Sequence, residues 1–298
     1  MKEASTRRPS DLRLYSLLGL MVFFWSLNFV IAKVALREWP PLLLSCFRTT
    51  LASLFILPVY IWKAGRKPAT WTRGELPALA LLGLFGVALN QIFFVAGMSR
   101  TSVGHSALMI GLTPVMVLLL AAARGMEKLS LKKLVGMGVA LAGIGVLNLS
   151  PAKATGATFA GDALVLAAAF TFALFTVGGK SVTKRHDSIT VNTFAYFAGA
   201  LVLAPLGLWL GRDFPWSALS LKAWAALVYM AAFPSVLCYL IFYYALTHIS
   251  ATRVSAVSYI QPLLATFLGA VLLGEAVTSG LATGGLLILL GVYVSERL

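Results

Sequence analysis

Polar and aromatic side chains that could bind a small solute lie inside long apolar stretches of this chain. The first stretch carries Trp25 and Asn28 three residues apart, so an aromatic ring and an amide would share one face of a helix. The ring can stack on a solute, and the amide can exchange hydrogen bonds with it. The alternative is that Asn28 hydrogen-bonds to a neighbouring helix and serves packing alone.

Later apolar stretches carry further candidates. Two of these stretches correspond at an offset of 148 positions, yet one holds amides where the other holds aromatic rings, as a cavity for an asymmetric solute would require. The alternative is that genetic drift on a packed helix face produced this difference between the two stretches. The substrate-binding candidates in these and the following stretch are Asn90, Gln91, Phe94, Tyr239, Tyr243, Ser255, Tyr259 and Gln261.

Arg48 is the one basic residue that we place within an apolar stretch, and its counterpart in the repeat described below is Ala195. A guanidinium there could clamp a carboxylate with two parallel hydrogen bonds. A structural arginine that bonds helix-end carbonyls or extends its charge outward is the alternative. His105 could change its protonation state, or it could form a helix-end hydrogen bond.

Clusters that would support catalysis or metal binding are missing from the sequence. None of the ten acidic residues lies in the middle of an apolar stretch, so we do not expect a buried carboxylate relay for protons. His, Cys, Asp and Glu do not occur together at ligand or acid–base spacing. We therefore predict no catalytic residue, no metal and no cofactor.

The composition indicates which elements hold these side chains. The chain has 298 residues, of which 59% are hydrophobic and 11% charged, whereas soluble domains carry roughly 25% charged residues. Its net charge of +14 comes from short loops, which favours a membrane protein over a nucleic-acid-binding one. With roughly 20 apolar residues per crossing, we predict ten membrane helices at 14–35, 42–62, 76–98, 101–123, 131–149, 161–180, 190–210, 222–245, 251–273 and 280–295.

The chain repeats itself. Residues 97–127 correspond to residues 245–275, so that Pro114 matches Pro262 and Glu127 matches Glu275. Five crossings separate the two copies, and an odd number inverts the second copy relative to the first. We predict an all-α membrane protein made of two inverted five-helix repeats, 1–150 and 151–298.

Residues that both repeats retain are predicted to be structural or gating residues: Lys33 and Lys180, Pro114 and Pro262, Glu127 and Glu275. Each proline removes a backbone donor and allows a bend. Each glutamate precedes a further helix. Its carboxylate could accept hydrogen bonds from the N–H groups in the first turn of that helix. These residues would therefore hold the scaffold rather than select a solute.

The distribution of basic residues predicts the orientation. With a cytoplasmic N-terminus, 17 of the 24 Lys and Arg residues lie on the inside and six on the outside, with Arg48 within a helix. Because basic loops stay on the cytoplasmic side, both termini are predicted to be cytoplasmic.

Together these features resemble the EamA group of the drug/metabolite transporter superfamily. The residues that carry the resemblance are Trp25, Ser26, Asn28 and Lys33 in the first helix, Phe47 and Arg48 in the second, and the doubled pattern of a helix proline followed by a glutamate. The resemblance implies an inner-membrane solute carrier, often an exporter of amino acids, with a cavity between its two halves.

We therefore expect a carrier of a small neutral or zwitterionic metabolite, such as a hydrophobic or aromatic amino acid. Its partners would be that solute and the lipid bilayer, without nucleic acid. One chain holds both repeats, so a monomer would suffice, and the sequence specifies no oligomeric state. The alternatives are a nucleotide-sugar or sugar-phosphate carrier, which would need more inward-facing Lys and Arg, and a membrane scaffold that transports nothing.

Overall fold

All regular structure in the described part of the chain is helical. A computed structural model describes residues 11–65, 72–126, 129–148, 156–183, 185–249, 251, 254 and 260–297. The α-helices are α1 (Asp11–Ala35), α2 (Pro41–Ala64), α3 (Leu76–Gly83), α4 (Asn90–Met98), α5 (Val103–Ile110), α6 (Thr113–Ala123), α7 (Leu131–Asn148), α8 (Phe159–Val182), α9 (Ser188–Gly211), α10 (Leu221–Met230), α11 (Cys238–His248), α12 (Ile260–Leu273) and α13 (Ser279–Arg297). Short 3₁₀ helices lie at Arg73–Glu75 and Trp216–Ala218.

Seven helical spans are long and apolar enough to cross a membrane: Leu12–Ala35, Pro41–Ala64, Leu76–Met98, Val103–Ala123, Phe159–Lys180, Ser188–Gly211 and Leu221–His248. Two shorter apolar helices, Ile260–Leu273 and Ser279–Val294, follow them. The predicted segments agree with the observed helices to within three residues, except that the structure describes only positions 251 and 254 of residues 250–259. The class of multi-pass helical membrane protein is thus confirmed, while ten crossings stay a prediction.

The predicted span 101–123 is interrupted, which the hydropathy pattern did not indicate. α5 ends at Ile110, and a turn at Gly111 and Leu112 separates it from α6. Pro114 has no N–H to donate to the carbonyl of Ile110, four residues back, and the hydroxyl of Thr113 donates to that carbonyl instead, at 2.6 Å. The proline therefore lies in the first turn of a second helix rather than bending a continuous one.

Two other spans contain π-helical segments. Leu84–Leu89 joins α3 to α4, and Ala231–Leu237 joins α10 to α11. These segments end at corresponding positions of the two sequence repeats. A π-helical turn inserts an extra residue into the helix and often marks a functional site. Both segments lie directly before the residues that carry the amide and aromatic candidates.

The most extensive helix contacts connect the two halves of the chain. α2 packs on α9, α4 on α8, α7 on α13 and α1 on α12. Each of these pairs takes one helix from residues 1–150 and one from residues 151–298. The two halves therefore share one interior, and any cavity in it is lined from both. The predicted boundary at 150 and 151 lies outside the described residues.

Glycines allow α7 and α13 to approach closely. A Cβ on Gly143 would lie 2.7 Å from the carbonyl oxygen of Gly284 and 2.8 Å from the nitrogen of Ile288. These are backbone atoms, which cannot move aside without separating the helices. On the same helix, a Cβ on Gly145 would have no neighbouring atom within 4 Å.

We expect Gly143→Ala to lower the stability of the detergent-solubilised protein by about 1–3 kcal/mol, because the new methyl group overpacks the α7–α13 contact. The matched control, Gly145→Ala, is expected to be neutral or stabilising by up to about 1 kcal/mol, since alanine favours the helix. Thermal unfolding of both variants measures the difference. Equal melting temperatures for the two variants would contradict the close packing of α7 on α13.

Candidate functional site

A cavity between the helices is lined by residues from both halves of the chain. Its volume is about 580 Å³ when all space between the lining atoms and the space at its opening to solvent are counted. Its lining is aromatic and polar, with one charged side chain among the described residues. The lining residues are Trp25, Asn28, Phe29, Arg48, Asn90, Gln91, Phe94, Ile110, Thr113, Phe172, Tyr239 and Gln261.

The structure brings most of the candidates from the sequence to this one cavity. Seven of the ten predicted substrate-binding residues line it, together with the predicted carboxylate clamp: Trp25, Asn28, Asn90, Gln91, Phe94, Tyr239, Gln261 and Arg48. They come from α1, α2, α4, α11 and α12, and their sequence positions span more than two hundred residues. Their role in binding stays a prediction.

Aromatic rings form one wall of the cavity. The ring of Trp25 stands edge-on to those of Phe172 and Tyr239, with centroids 5.8 Å and 6.1 Å away. Two hydrogen bonds fix this arrangement: Trp25 Nε1 donates to the carbonyl of Pro234 at 3.1 Å, and the Tyr239 hydroxyl donates to that of Gly86 at 3.0 Å. Both carbonyls belong to the π-helical segments, so these segments position the rings.

Amide side chains supply hydrogen-bonding groups. Asn90 Nδ2 donates to the carbonyl of Ala168 at 2.9 Å, which holds this side chain against α8. Asn28 Oδ1 and Gln91 Oε1 are buried and accept no hydrogen bond from any residue that the structure describes. Buried polar atoms are normally paired, so these two oxygens are available to a solute that carries N–H donors.

Arg48 adds a positive charge to the lining. Its side chain is 2% exposed, which excludes an arginine that extends its charge to the surface. Nε donates to the hydroxyl of Ser235 at 3.0 Å rather than to a helix-end carbonyl, and Nη1 forms no hydrogen bond with the described residues. A buried guanidinium with free N–H groups suits a carboxylate.

Comparison with known proteins identifies the family. The sequence profile of the EamA-like transporter family matches residues 13–149 and again residues 159–296. The chain belongs to the EamA-like transporter family. The resemblance noted in the sequence is thereby confirmed, as is the expectation of a transporter rather than an enzyme.

Individual relatives of this EamA-like transporter cover nearly its whole length. An uncharacterized transporter of Archaeoglobus fulgidus is 29% identical over 94% of this chain and 96% of its own. A probable terminal-alkyne amino-acid exporter of Streptantibioticus cattleyicolor is 28% identical over 94% and 92%. A probable amino-acid metabolite efflux pump of Salmonella typhimurium is 30% identical over 93% and 92%.

A solved structure has the same fold as this EamA-like transporter. That crystal structure superposes with a TM-score of 0.66, covers 96% of this chain and 97% of its own, and is 19% identical in sequence. The likeness therefore extends over the whole helical arrangement that surrounds the cavity.

Four lining residues were not predicted as binding residues: Phe29, Ile110, Thr113 and Phe172. Phe172 could have been found, because it is the repeat counterpart of Trp25. Thr113 could have been found through its position before Pro114. Phe29 and Ile110 have no distinguishing sequence signal, since apolar residues of both types occur throughout the membrane helices of an EamA-like transporter.

Some predicted residues do not line the cavity. Tyr243 is fully buried, and its ring packs on Phe175 with a centroid distance of 5.3 Å. It lies one turn beyond Tyr239 on α11 and is not among the lining residues. Its role in substrate binding stays a prediction. Ser255, Tyr259 and Glu127 lie outside the described residues.

Glu275 connects the two halves. Both its carboxylate oxygens accept from the N–H of Val103 at 2.9 Å, and one also accepts from that of Gly104 at 3.4 Å. The sequence predicted that this carboxylate accepts from the first-turn N–H groups of the helix that follows it, α13. It does accept from first-turn N–H groups, but the helix is α5. Lys33, near the end of α1, lies close enough for a favourable Coulomb interaction with Glu275.

Asp162 is a buried carboxylate near a helix end, which the sequence did not single out. It accepts from the hydroxyl of Thr101 at 2.5 Å, and its other oxygen lies 2.8 Å from Nδ1 of His105. Asp162 and His105 are each 3% exposed. The sequence placed Asp162 near a helix end, and it does lie in the first turns of α8, but α5 and the preceding turn cover it. The helix-end alternative for His105 agrees with this contact.

The remaining structural candidates lie at helix ends and crossings. Lys180 Nζ donates to the terminal carbonyls of α11, at 2.7 Å for Ile249, and so fastens α8 to α11. A Cβ on Gly111 would lie 2.9 Å from Cγ of Pro262, which shows how closely the α5–α6 turn approaches α12. These contacts are consistent with a scaffolding role for Lys180 and Pro262.

Another acidic contact joins the halves, at a position outside the membrane spans. Glu38, between α1 and α2, accepts from the N–H and the hydroxyl of Ser220, both at 2.7 Å. These hydrogen bonds hold the pKa of Glu38 below its ordinary value, and the bond from the backbone N–H has the larger effect. Ser220 caps the N-terminus of α10, so the Glu38 carboxylate extends that cap.

Proposed function

We propose that this EamA-like transporter moves a small neutral or zwitterionic metabolite with an apolar part, and that its substrates are hydrophobic and aromatic amino acids. Transport would be outward or by facilitated diffusion. The observation that carries the proposal is the lining of the cavity, where Arg48, two unpaired amide oxygens and a wall of aromatic rings face one space. The names of two relatives, an amino-acid exporter and an amino-acid metabolite efflux pump, support the same substrate class.

The three kinds of lining group match the three parts of an α-amino acid. The guanidinium of Arg48 would bind the carboxylate, and the oxygens of Asn28 and Gln91 would accept from the ammonium group. Trp25 and Phe172 would pack on the side chain. A zwitterion brings no net charge into the membrane interior, so one buried cation is sufficient.

The mechanism that we propose is alternating access between two inverted five-helix repeats, with ten crossings and both termini in the cytoplasm of a cell whose inner membrane holds the protein. Contacts between halves, such as Glu275 on α5, would break and re-form as the cavity opens to either side. Because the lining comes from both halves of one chain, a monomer would suffice.

An anionic substrate such as a sugar phosphate fits the cavity less well. Among the described lining residues Arg48 is the one cation. Lys33 lies near Glu275, and Lys180 bonds carbonyls at the end of α11. A phosphate dianion would therefore face a single guanidinium. A scaffold without transport would leave the buried unpaired groups without a use.

The test is uptake of radiolabelled solutes by proteoliposomes, with phenylalanine, leucine, glucose and glucose 6-phosphate as the panel. We expect saturable uptake of the two amino acids and none of the sugars. Phe172→Leu should raise the KM for phenylalanine about two- to tenfold, since an aromatic pair contributes roughly 0.5–1.5 kcal/mol beyond its area. Phe170→Leu, two residues away on the same helix, is the matched control, because Phe170 is 46% exposed on the outside of the bundle.

The outcomes separate the candidates. Uptake of glucose 6-phosphate alone would replace the amino-acid proposal with an anion carrier. Failure to move any of the four solutes would favour the scaffold. An equal rise in KM for Phe170→Leu and Phe172→Leu would show that the aromatic wall does not contact the solute.

A further inference from the structure

Arg48 has an unusual environment for a buried cation. The titratable side chains around it are three tyrosines and a cysteine: Tyr196, Tyr229, Tyr239 and Cys238. No carboxylate of a described residue forms an ion pair with it, and the hydroxyl of Ser235 accepts from its Nε. A buried charge is costly unless it is paired and hydrogen-bonded. The orientation of this guanidinium therefore depends on one serine.

The hydroxyl of Ser235 is itself held by a hydrogen bond to the backbone. It donates to the carbonyl of Met230, five residues back, at 2.9 Å. Ser235 lies in the π-helical segment that follows Met230. A hydroxyl has one hydrogen and two lone pairs, so with its hydrogen on Met230 it presents only lone pairs to Arg48. The hydroxyl thus acts as a fixed acceptor.

The other half of the chain lacks both members of this contact. At the repeat offsets, the counterpart of Arg48 is Ala195 and that of Ser235 is Val87. Ala195 and Val87 are both fully buried within one apolar cluster. Both halves contain a π-helical segment, so the segment alone does not account for the serine. Ser235 and Arg48 therefore form a contact between the two halves that has no counterpart at the equivalent positions, and Arg48 lines the cavity.

We propose that Ser235 is a positioning residue for Arg48 and thereby sets the preference of the cavity for solutes with a free carboxylate. By accepting from Nε, the hydroxyl leaves Nη1 and Nη2 as the edge that a carboxylate can bind with two parallel hydrogen bonds. The hydrogen bond that the hydroxyl donates to the Met230 carbonyl is the reason that it faces Arg48 as an acceptor. The inference rests on the proposed function, since it concerns how the same cavity recognises one group of its substrate.

The experiment compares phenylalanine with phenylalaninamide, which lacks the carboxylate, in proteoliposomes that contain the wild type, Ser235→Ala or Ser235→Thr. We expect Ser235→Ala to raise the KM for phenylalanine about tenfold, because a hydrogen bond to a charged group is lost. The KM for phenylalaninamide should change less than twofold. Ser235→Thr keeps the hydroxyl and should restore the wild-type preference.

A second measurement tests whether Ser235 acts through Arg48. In the Arg48→Lys background, which has no Nε, we expect Ser235→Ala to change the KM for phenylalanine less than twofold. This non-additivity is what a positioning role predicts and a packing role does not. Thermal unfolding of each variant shows whether the protein is folded.

Each outcome decides between the two proposals. If Ser235→Ala alters both solutes equally, or adds its full effect in the Arg48→Lys background, the positioning role is overturned while amino-acid transport stands. The same holds if Ser235→Ala changes neither solute. If the wild type transports neither solute, the proposed function fails, and the positioning role fails with it.

Discussion

Replacing Arg48 with methionine is expected to raise the KM for phenylalanine about a hundredfold, because two hydrogen bonds between charged groups are lost. Methionine retains a similar volume, so the cavity wall should stay intact. Arg48→Lys retains the charge but loses the planar fork, and we expect a rise of about tenfold. Initial rates of uptake into proteoliposomes over a range of concentrations measure both effects.

Two controls make the Arg48 result specific. Arg212→Met removes an arginine whose side chain is 68% exposed at the end of α9, and it should leave KM unchanged. Phenylalaninamide should lose much less affinity than phenylalanine in Arg48→Met, since it has no carboxylate to bind. A parallel loss for both solutes would mean that Arg48 supports the structure of the cavity and does not contact the carboxylate.

Replacing Glu275 with alanine is expected to destabilise the protein by about 1–3 kcal/mol, because the N–H groups of Val103 and Gly104 lose their acceptor. Lys33 would lose its nearby negative charge as well. Glu275→Gln retains an acceptor oxygen without the charge and should fall between alanine and the wild type. Since the contact joins the two halves, we also expect a lower rate of transport, with a smaller effect on KM.

Thermal unfolding and uptake kinetics measure the two consequences of the Glu275 substitutions. Glu38→Ala is the control, because Glu38 also joins the halves through a first-turn cap but lies in an exposed contact. Its effect on stability should be clearly smaller. A Glu275→Ala variant that melts at the wild-type temperature and transports at the wild-type rate would exclude a structural role for the contact with α5.

Much of the cavity could be predicted from the sequence because membrane helices are regular. A polar residue in hydrocarbon has to face the interior, and a helix places residues three or four apart on one side. Those rules were enough to select Trp25 and Asn28 on α1, and Asn90 and Gln91 on α4. The repeat then pointed to Tyr239 at the position corresponding to Gln91.

The same rules are not sufficient where the depth of a residue and its neighbouring helices decide the outcome. Tyr243 is one turn from Tyr239 and has the same side-chain chemistry, yet it is absent from the cavity lining and its ring packs on Phe175. Asp162 lies near a helix start, as expected, but the turn before α5 buries it. Both outcomes depend on how far a second helix extends over the first. The periodicity of a single helix gives no information about that overlap.

The sequence by itself determined the class of protein, the positions of its apolar segments, its repeat and most of the side chains that line its cavity. Hydrophobicity and helical periodicity are local properties, so a single chain suffices to read them. Only the tertiary structure decided that Glu275 binds α5, that the Ser235 hydroxyl accepts from Arg48 and that π-helical segments hold the aromatic wall. These contacts join residues between 153 and 209 positions apart, and packing between the halves brings them together.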